Sequence, residues 1–155
     1  MQDAILESAE RDLEVVAFRV AGQDFCFDLA SVREIRGWTS TTALPHAQPY
    51  VKGVINLRGS VVPVIDLSQR LAFGEAAPGA RNVIIIAVVA DQTVGLLAEV
   101  VSDILTVSES ELQPIPDIVD ETVRQFISGV LIQDDKMIRR LELATILEQE
   151  GRHAA

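Results

Sequence analysis

The chain has 155 residues, of which 48% are hydrophobic and 23% are charged. This composition is typical of a globular protein with one ordinary domain or two small fused ones, and it argues against a disordered chain. Lysines and arginines number 13 and aspartates and glutamates number 23, so the formal net charge is −10. Nucleic acid and anionic membranes repel such a chain, so we expect neither as a partner.

Cysteine usage and the absence of long apolar runs indicate where the protein works. Cys26 is the only cysteine, so no disulfide can form within the chain and cysteine-based metal sites are excluded. The N-terminus lacks a basic segment followed by an apolar run, the pattern of a signal peptide. The longest apolar run, residues 83–90, is far shorter than the ~20 residues of a transmembrane helix. We therefore expect a cytoplasmic protein without direct membrane insertion.

The first predicted elements are a lead-in and a β-hairpin. Residues 1–14 are highly charged and predict a frayed or short helical segment. Residues 15–20 and 25–29 are rich in β-branched and aromatic side chains and flank a turn, which predicts two paired strands.

A second hairpin and a short helix follow. Residues 51–57 and 60–65 predict two strands, the second at a sheet edge or bulged, because Pro63 cannot donate a ladder hydrogen bond. Asp66 then precedes a helical stretch at residues 67–71. A carboxylate there predicts a helix cap, in preference to a phosphate acceptor.

The remaining strands follow a segment rich in Gly, Pro and Ala. Residues 72–82 predict a linker on that composition. Residues 82–89 are almost continuously apolar, as in a strand buried on both faces, and residues 94–98 return from a turn.

The two halves of the chain repeat each other in two alignment registers. In the first register, Val16 matches Ile85, Gln23 matches Gln92, Glu34 matches Asp103 and Ile35 matches Ile104. In the second register, which is shifted further, Tyr50 matches Phe126, Gly53 matches Gly129, Asp66 matches Glu142 and Leu67 matches Leu143. The difference between the registers places an insertion within residues 108–125. Such a repeat predicts a duplicated architecture.

Each copy offers about five short strands and a terminal helix, and five strands close naturally into a small barrel. We therefore predict an all-β fold of two small five-stranded barrels, with the last helix at residues 142–150. The subdomains are placed at about residues 15–71 and 83–150, with exchange of strands between them allowed, and residues 151–155 form a tail.

No catalytic, cofactor or metal constellation is recognisable. His46 beside Pro45 is interpreted as a solvated loop residue, and Cys26 as a small, half-buried core residue. Arg58 at the tip of the second hairpin either presents hydrogen bonds to a partner or is an ordinary solvated turn residue. The matching tip of the second copy lacks the arginine.

Residues 52–67 (KGVINLRGSVVPVIDL) closely resemble the signature of the CheW family of chemotaxis coupling proteins. Residues 34–38 (EIRGW) and 100–105 (VVSDIL) resemble two further stretches of that family, in the same order and spacing. The resemblance runs from about residue 15 to residue 147.

The resemblance implies two SH3-like barrels packed together and no enzymatic activity or cofactor. It also implies two partners: the histidine kinase CheA, through its CheW-like regulatory domain, and the cytoplasmic tips of chemoreceptors (methyl-accepting chemotaxis proteins). In the family the receptor's helical hairpin docks in a groove between the barrels, and the kinase docks barrel to barrel.

The same resemblance implies which residues face the receptor or the kinase. They are Glu34, Ile35, Gly53, Asn56, Arg58, Gly59, Val100, Val101, Ile104 and Gly129. For Val101 and Ile104 the alternative is plain barrel core, and Trp38 is expected to pack under the first barrel. Arg139 and Arg140 depart from the family, so one should reach solvent and the other should snorkel or find a carboxylate.

Three functions compete on this basis. The first is an adaptor that couples chemoreceptors to CheA in signalling arrays, and the second is a CheW-like scaffold of a non-flagellar chemosensory pathway. A small β-barrel that binds a ligand or an oligonucleotide is the third, although the charge and the scarcity of aromatic residues disfavour the oligonucleotide.

Overall fold

The computed structural model describes residues 12–76 and 82–148 of the chain. They form ten strands: β1 (Asp12–Val20), β2 (Gln23–Asp28), β3 (Val32–Gly37), β4 (Val51–Leu57), β5 (Ser60–Asp66), β6 (Val83–Val89), β7 (Gln92–Ala98), β8 (Val100–Ser108), β9 (Ile127–Gln133) and β10 (Lys136–Leu141). Three short helices accompany them: α1 (Leu67–Arg70), α2 (Glu121–Arg124) and α3 (Leu143–Leu147).

Four hairpins share one turn geometry. The pairs β1–β2, β4–β5, β6–β7 and β9–β10 are each joined by two residues with positive φ. Positive φ at both central positions is the mark of a type I′ turn, whose twist matches that of the flanking strands. The turns are Ala21-Gly22, Arg58-Gly59, Ala90-Asp91 and Asp134-Asp135. Their positions repeat in the same two registers as the sequence, which supports the duplication.

The strands form two five-stranded sheets, and each forms a small SH3-like barrel, which confirms the predicted fold class. Barrel 1 has the order β3-β6-β7-β5-β4, and barrel 2 has the order β8-β1-β2-β10-β9. Under the repeat these two orders are the same. The hairpin that opens each copy, β1–β2 or β6–β7, lies in the barrel built from the other copy's remaining strands. The barrels therefore do not follow the continuous segments 15–71 and 83–150.

Among the residues that the structure describes, the core has three parts, because each opening hairpin is buried on both faces. One cluster lies inside barrel 1 and includes Ile55 and Val62, and one lies inside barrel 2 and includes Cys26 and Leu131. The largest cluster joins the two barrels. Phe18 is central to it, with the ring of Phe27 at 5.4 Å in an edge-on arrangement. Each fully buried side chain of this size stabilises the fold by roughly 1.5–3 kcal/mol.

Several boundaries differ from the sequence-based expectation. Strand β1 begins at Asp12, so residues 12–14 belong to the sheet, where they pair with β8. Residues 1–11 lie outside the described part of the chain. Leu29 begins a 3-10 turn instead of ending β2, because the chain there leaves barrel 2 for barrel 1. The last helix ends at Leu147, and residues 149–155 lie outside the description.

The segment after α1 is partly packed, unlike a plain linker. The Phe73 ring contacts that of Phe25 with centroids 6.4 Å apart, and the Phe73 backbone N–H donates to the Ser68 carbonyl. The Ala76 N–H donates to Asp66 at 2.9 Å. Residues 77–81 lie outside the described ranges.

Pro63 was expected at an edge or a bulge, but β5 is an inner strand. Its pairing with β7 begins only at Val64, the next residue. On the other side Pro63 lies opposite Val54, whose backbone N–H and carbonyl both bond to Thr42. Neither neighbour therefore requires an N–H at Pro63. The irregularity in this hairpin lies in β4, between Val51 and Gly53.

Candidate functional site

The residues implied by the resemblance fall in five places. The barrel-1 tip, defined as residues 56–59 around the turn between β4 and β5, carries Asn56, Arg58 and Gly59. Strand β3 carries Glu34 and Ile35, and β8 carries Val100, Val101 and Ile104. Gly53 lies in β4 and Gly129 in β9. Strands β3 and β8 are the matching edge strands of the two barrels. The set therefore combines one hairpin tip, two sheet edges and two buried glycines.

The barrel-1 tip is a rigid support for Arg58. The Asn56 Oδ1 accepts a hydrogen bond from the Gly59 N–H at 2.9 Å, which closes the turn. The Arg58 side chain is 70% exposed. An arginine on a fixed turn presents several donors without a large entropic cost for ordering the backbone.

Glu34 connects β3 to this tip. Its carboxylate accepts hydrogen bonds from Nη1 of Arg36 at 3.2 Å and from Nη1 of Arg58 at 3.3 Å. The hydrogen bond from Arg36, followed by the charge and hydrogen bond of Arg58, lowers the pKa of Glu34 below its ordinary value. Glu34 thus stays ionised at neutral pH and holds Arg58 against barrel 1, while much of the guanidinium remains open to a partner.

The apolar residues on the edge strands form a matched pair. Ile35 on β3 is 41% exposed and Ile104 on β8 is 50% exposed, and the two are related by the repeat. Val100, also on β8, is exposed as well. Val101 instead packs partly against the cluster that joins the barrels. Exposed aliphatic side chains on edge strands are typical of docking surfaces.

Gly53 and Gly129 are buried, so a partner does not reach them in this structure. A Cβ on Gly53 would overlap the Thr42 carbonyl, and one on Gly129 would lie 2.9 Å from the Gln113 carbonyl oxygen. Their role lies in close backbone approach.

One exposed side chain near the barrel-1 tip was missed by the sequence analysis. Val61 is 70% exposed, and with Arg33 and Arg58 it lines a cleft of about 620 Å³. The alternation in β5 could have revealed Val61, because Val62 faces inward and its neighbour must therefore face outward. Trp38 was expected under the first barrel, but it is 38% exposed, and its backbone N–H donates to the Asn82 carbonyl.

The two unusual arginines of β10 both find partners. Arg140 donates from Nη2 to Asp28 Oδ1 at 2.7 Å, so the expected carboxylate is Asp28. Arg139 lies over the Phe25 ring, 5.5 Å from its centroid, and donates to the Asp24 carbonyl. Partial burial lowers the pKa of Arg139 from its ordinary value, although the nearby charge of Asp24 opposes this effect.

The other residues that the sequence analysis considered for a chemical role are Asp66, Cys26 and His46. Asp66 is fully buried and caps α1, accepting from the backbone N–H groups of Ser68 and Gln69. Cys26 is also fully buried rather than half-buried, and this burial raises the pKa of its thiol to about 12. His46 is an exposed turn residue with positive φ. Within residues 12–76 and 82–148, no group of three His, Cys, Asp or Glu is arranged to hold a metal ion.

Taken together, the two joined barrels with an arginine tip and exposed aliphatic edges define a protein–protein interaction module. Comparison with known proteins gives the family. The CheW-like domain matches residues 14–151. Chemotaxis protein CheW of Rhizobium meliloti (strain 1021) is 51% identical over 142 residues, which cover 92% of this chain and 92% of that protein. Chemotaxis protein CheW of Bacillus subtilis (strain 168) is 32% identical, with coverage of 92% and 91%.

A solved structure agrees with the sequence relatives. The crystal structure of scaffolding protein TtCheW from Thermoanaerobacter tengcongensis superposes with a TM-score of 0.82 at 30% identity, covering 91% of this chain and 96% of that chain. The chain therefore belongs to the CheW family of chemotaxis proteins.

Proposed function

We propose that this protein is a non-enzymatic adaptor that couples the cytoplasmic tips of chemoreceptors to the histidine kinase CheA in chemotaxis arrays. Membership of the CheW family across almost the whole chain carries this proposal. No helix in the described ranges is long and apolar enough to cross a membrane. The protein acts in the cytoplasm, recruited to receptor arrays at the membrane through its partners.

Each partner has a surface of matching chemistry. The receptor tip, a helical hairpin, docks across the two barrels against the exposed aliphatic pair Ile35 and Ile104. The CheW-like regulatory domain of the kinase docks barrel to barrel, with Arg58 at the barrel-1 tip as a polar anchor. Glu34 positions that anchor, because its carboxylate holds the guanidinium at 3.3 Å.

Coupling then follows from bivalent binding. Once the receptor holds one surface of the adaptor, the kinase meets the other at a raised effective concentration, so weak single contacts suffice. Receptor control of the kinase is a coupling free energy between their two states. The adaptor contributes fixed geometry.

The test is a co-sedimentation assay with receptor-bearing membranes and the cognate kinase, with and without this protein. We expect kinase in the pellet only when the protein is present, and less of it with Arg58→Glu. Lys136→Glu is the control, because Lys136 is exposed at the repeat-related tip of barrel 2 and its reversal changes the net charge equally. Equal pelleting in all tubes contradicts the adaptor function, and equal losses in both variants contradict the role of Arg58.

A further inference from the structure

Arg70, the last residue of α1, stands between two aromatic rings that the repeat relates to each other. Its Cζ lies 4.5 Å from the centroid of Tyr50 and 4.7 Å from that of Phe126. Tyr50 precedes β4 of barrel 1, and Phe126 precedes β9 of barrel 2. The guanidinium therefore contacts an equivalent ring from each barrel, and such cation–π contacts strengthen as the site is shielded from water.

The same side chain caps the last helix. Nε of Arg70 donates to the Ile146 carbonyl at 2.8 Å, and Nη2 donates to the carbonyls of Thr145 and Glu148. These carbonyls lie at the C-terminal end of α3, where a cation also opposes the helix dipole. Since α3 follows β10, all three hydrogen bonds run from barrel 1 to barrel 2.

The repeat shows that Arg70 is a specialised feature. Its match in the second register is Ile146, a fully buried aliphatic side chain. One copy thus places an isoleucine in the joining core, whereas the other places a planar cation beside it. A barrel junction made of apolar packing alone resists separation but is less specific about angle, because dispersion contacts lack the directionality of hydrogen bonds.

We infer that Arg70 is a positioning residue that fixes the orientation of barrel 2 relative to barrel 1. It does so by locking α3 and the two rings into one arrangement. The consequence for partners rests on the proposed function. The affinity of a receptor tip that contacts both barrels depends on this orientation, whereas the affinity of a partner that contacts a single barrel does not.

The test measures the orientation without any partner. Nitroxide labels are attached to Ser60→Cys in barrel 1 and Lys136→Cys in barrel 2, exposed positions related by the repeat. The native Cys26 is fully buried and stays unlabelled. Pulsed electron–electron double resonance gives the distribution of distances between the two labels. We expect Arg70→Gln to widen this distribution at least twofold. Arg70→Lys should widen it less, because it keeps the positive charge between the rings.

Arg124→Gln is the matched control. Arg124 also donates to two main-chain carbonyls, those of Ile115 and Pro116, but these contacts stay within the insertion of barrel 2. A distribution unchanged in Arg70→Gln, or widened equally by Arg124→Gln, overturns the inference. If Arg70→Gln does not fold, Arg70→Lys takes its place, and a distance distribution that is unchanged by Arg70→Lys, or widened equally by Arg124→Gln, overturns the inference.

A second readout is hydrogen exchange at the α3 amides, expected to be at least tenfold faster in Arg70→Gln and unchanged in Arg124→Gln. Receptor binding is then compared between the two variants. A widened distribution with unchanged receptor binding leaves the positioning role intact and contradicts only the proposed docking across both barrels.

Discussion

Gly53 and Gly129 are matched by the repeat and occupy the same place in the two barrels. Each lies in a strand next to a crossing segment: Thr42 bridges Val54, and Gln113 bridges Val130. The crossing carbonyl occupies the space that a Cβ would fill. The duplicated fold has kept this close backbone approach in both copies, although the surfaces above them differ.

Gly53→Ala should therefore be strongly destabilising. Gly53 has φ of 151° and its new Cβ would overlap the Thr42 carbonyl, so we expect a loss of about 3 kcal/mol or more in the free energy of unfolding. Gly59→Ala is the control, since Gly59 also has positive φ but open space around it. It should cost about 1–2 kcal/mol. Urea denaturation measures both, and equal losses would show that the Thr42 contact is unimportant.

Asp66 and its repeat match Glu142 should differ in their contribution to stability. The buried Asp66 carboxylate accepts from three N–H groups, those of Ser68, Gln69 and Ala76. Asp66→Ala leaves these donors without their partner and should cost roughly 2–3 kcal/mol. Glu142 is exposed and makes no side-chain cap bond, so Glu142→Ala should change stability by less than about 0.5 kcal/mol. Thermal unfolding of Asp66→Ala and Glu142→Ala measures both effects, and similar decreases in the two melting temperatures would contradict the prediction.

The ion-pair network at the barrel-1 tip should depend on pH through Glu34. Its pKa is lowered in the folded chain, first by the Arg36 hydrogen bond and then by Arg58. The stabilisation is present at neutral pH and is lost as the pH falls through the folded-state pKa. Titration of the Glu34 carboxyl by NMR should give a midpoint below the ordinary ~4.3, and both Arg36→Gln and Arg58→Gln should raise it. A midpoint insensitive to both substitutions would contradict the network.

The Cys26 thiol should be unreactive towards thiol reagents in the folded protein. Burial raises its pKa to about 12, so the reactive thiolate is almost absent at pH 8. A thiol reagent should modify Cys26 only as fast as the protein unfolds. Between the ordinary thiol pKa of 9.0 and about 12 the unfolded chain releases this proton and the folded chain keeps it, so the free energy of unfolding falls as pH rises. Cys26→Ala should remove that alkaline contribution, and rapid modification of the native protein would contradict the burial.

Local chemistry made much of this fold predictable. The first three hairpins and the Asp66 cap follow from short patterns in which neighbouring residues determine the structure, and the fourth hairpin is the match of the second in the repeat between the two halves of the chain. The exchange of opening hairpins was not predictable in the same way. The repeat makes β5 and β10 equivalent as partners for β2, and apolar strands of similar composition do not reveal which copy they pair with.

The candidate site was only partly predictable from the sequence. The exposed positions of Arg58, Ile35 and Ile104 agree with a role in contacts, but which partner each touches stays a prediction. Arg70 went unnoticed because an arginine at the end of a short helix is common. Its importance arises from Tyr50 and Phe126, which are distant from it in the sequence and meet it only in the folded chain.

The exchange of hairpins has a consequence for how the protein is made. Strand β2 pairs with β10, so Phe25 cannot form its pair with Arg139 until the ribosome has added all the strands that lie between them. Barrel 1 has all its strands once Ala98 has been synthesised, whereas the β1–β2 hairpin still lacks β8 at that point and lacks its other neighbour, β10, for longer. Such distant pairing slows folding and leaves apolar strands exposed meanwhile. A nascent chain stopped between β7 and β8 would carry one complete barrel and a hairpin without its sheet, and the exposed strand edges of that hairpin would favour aggregation.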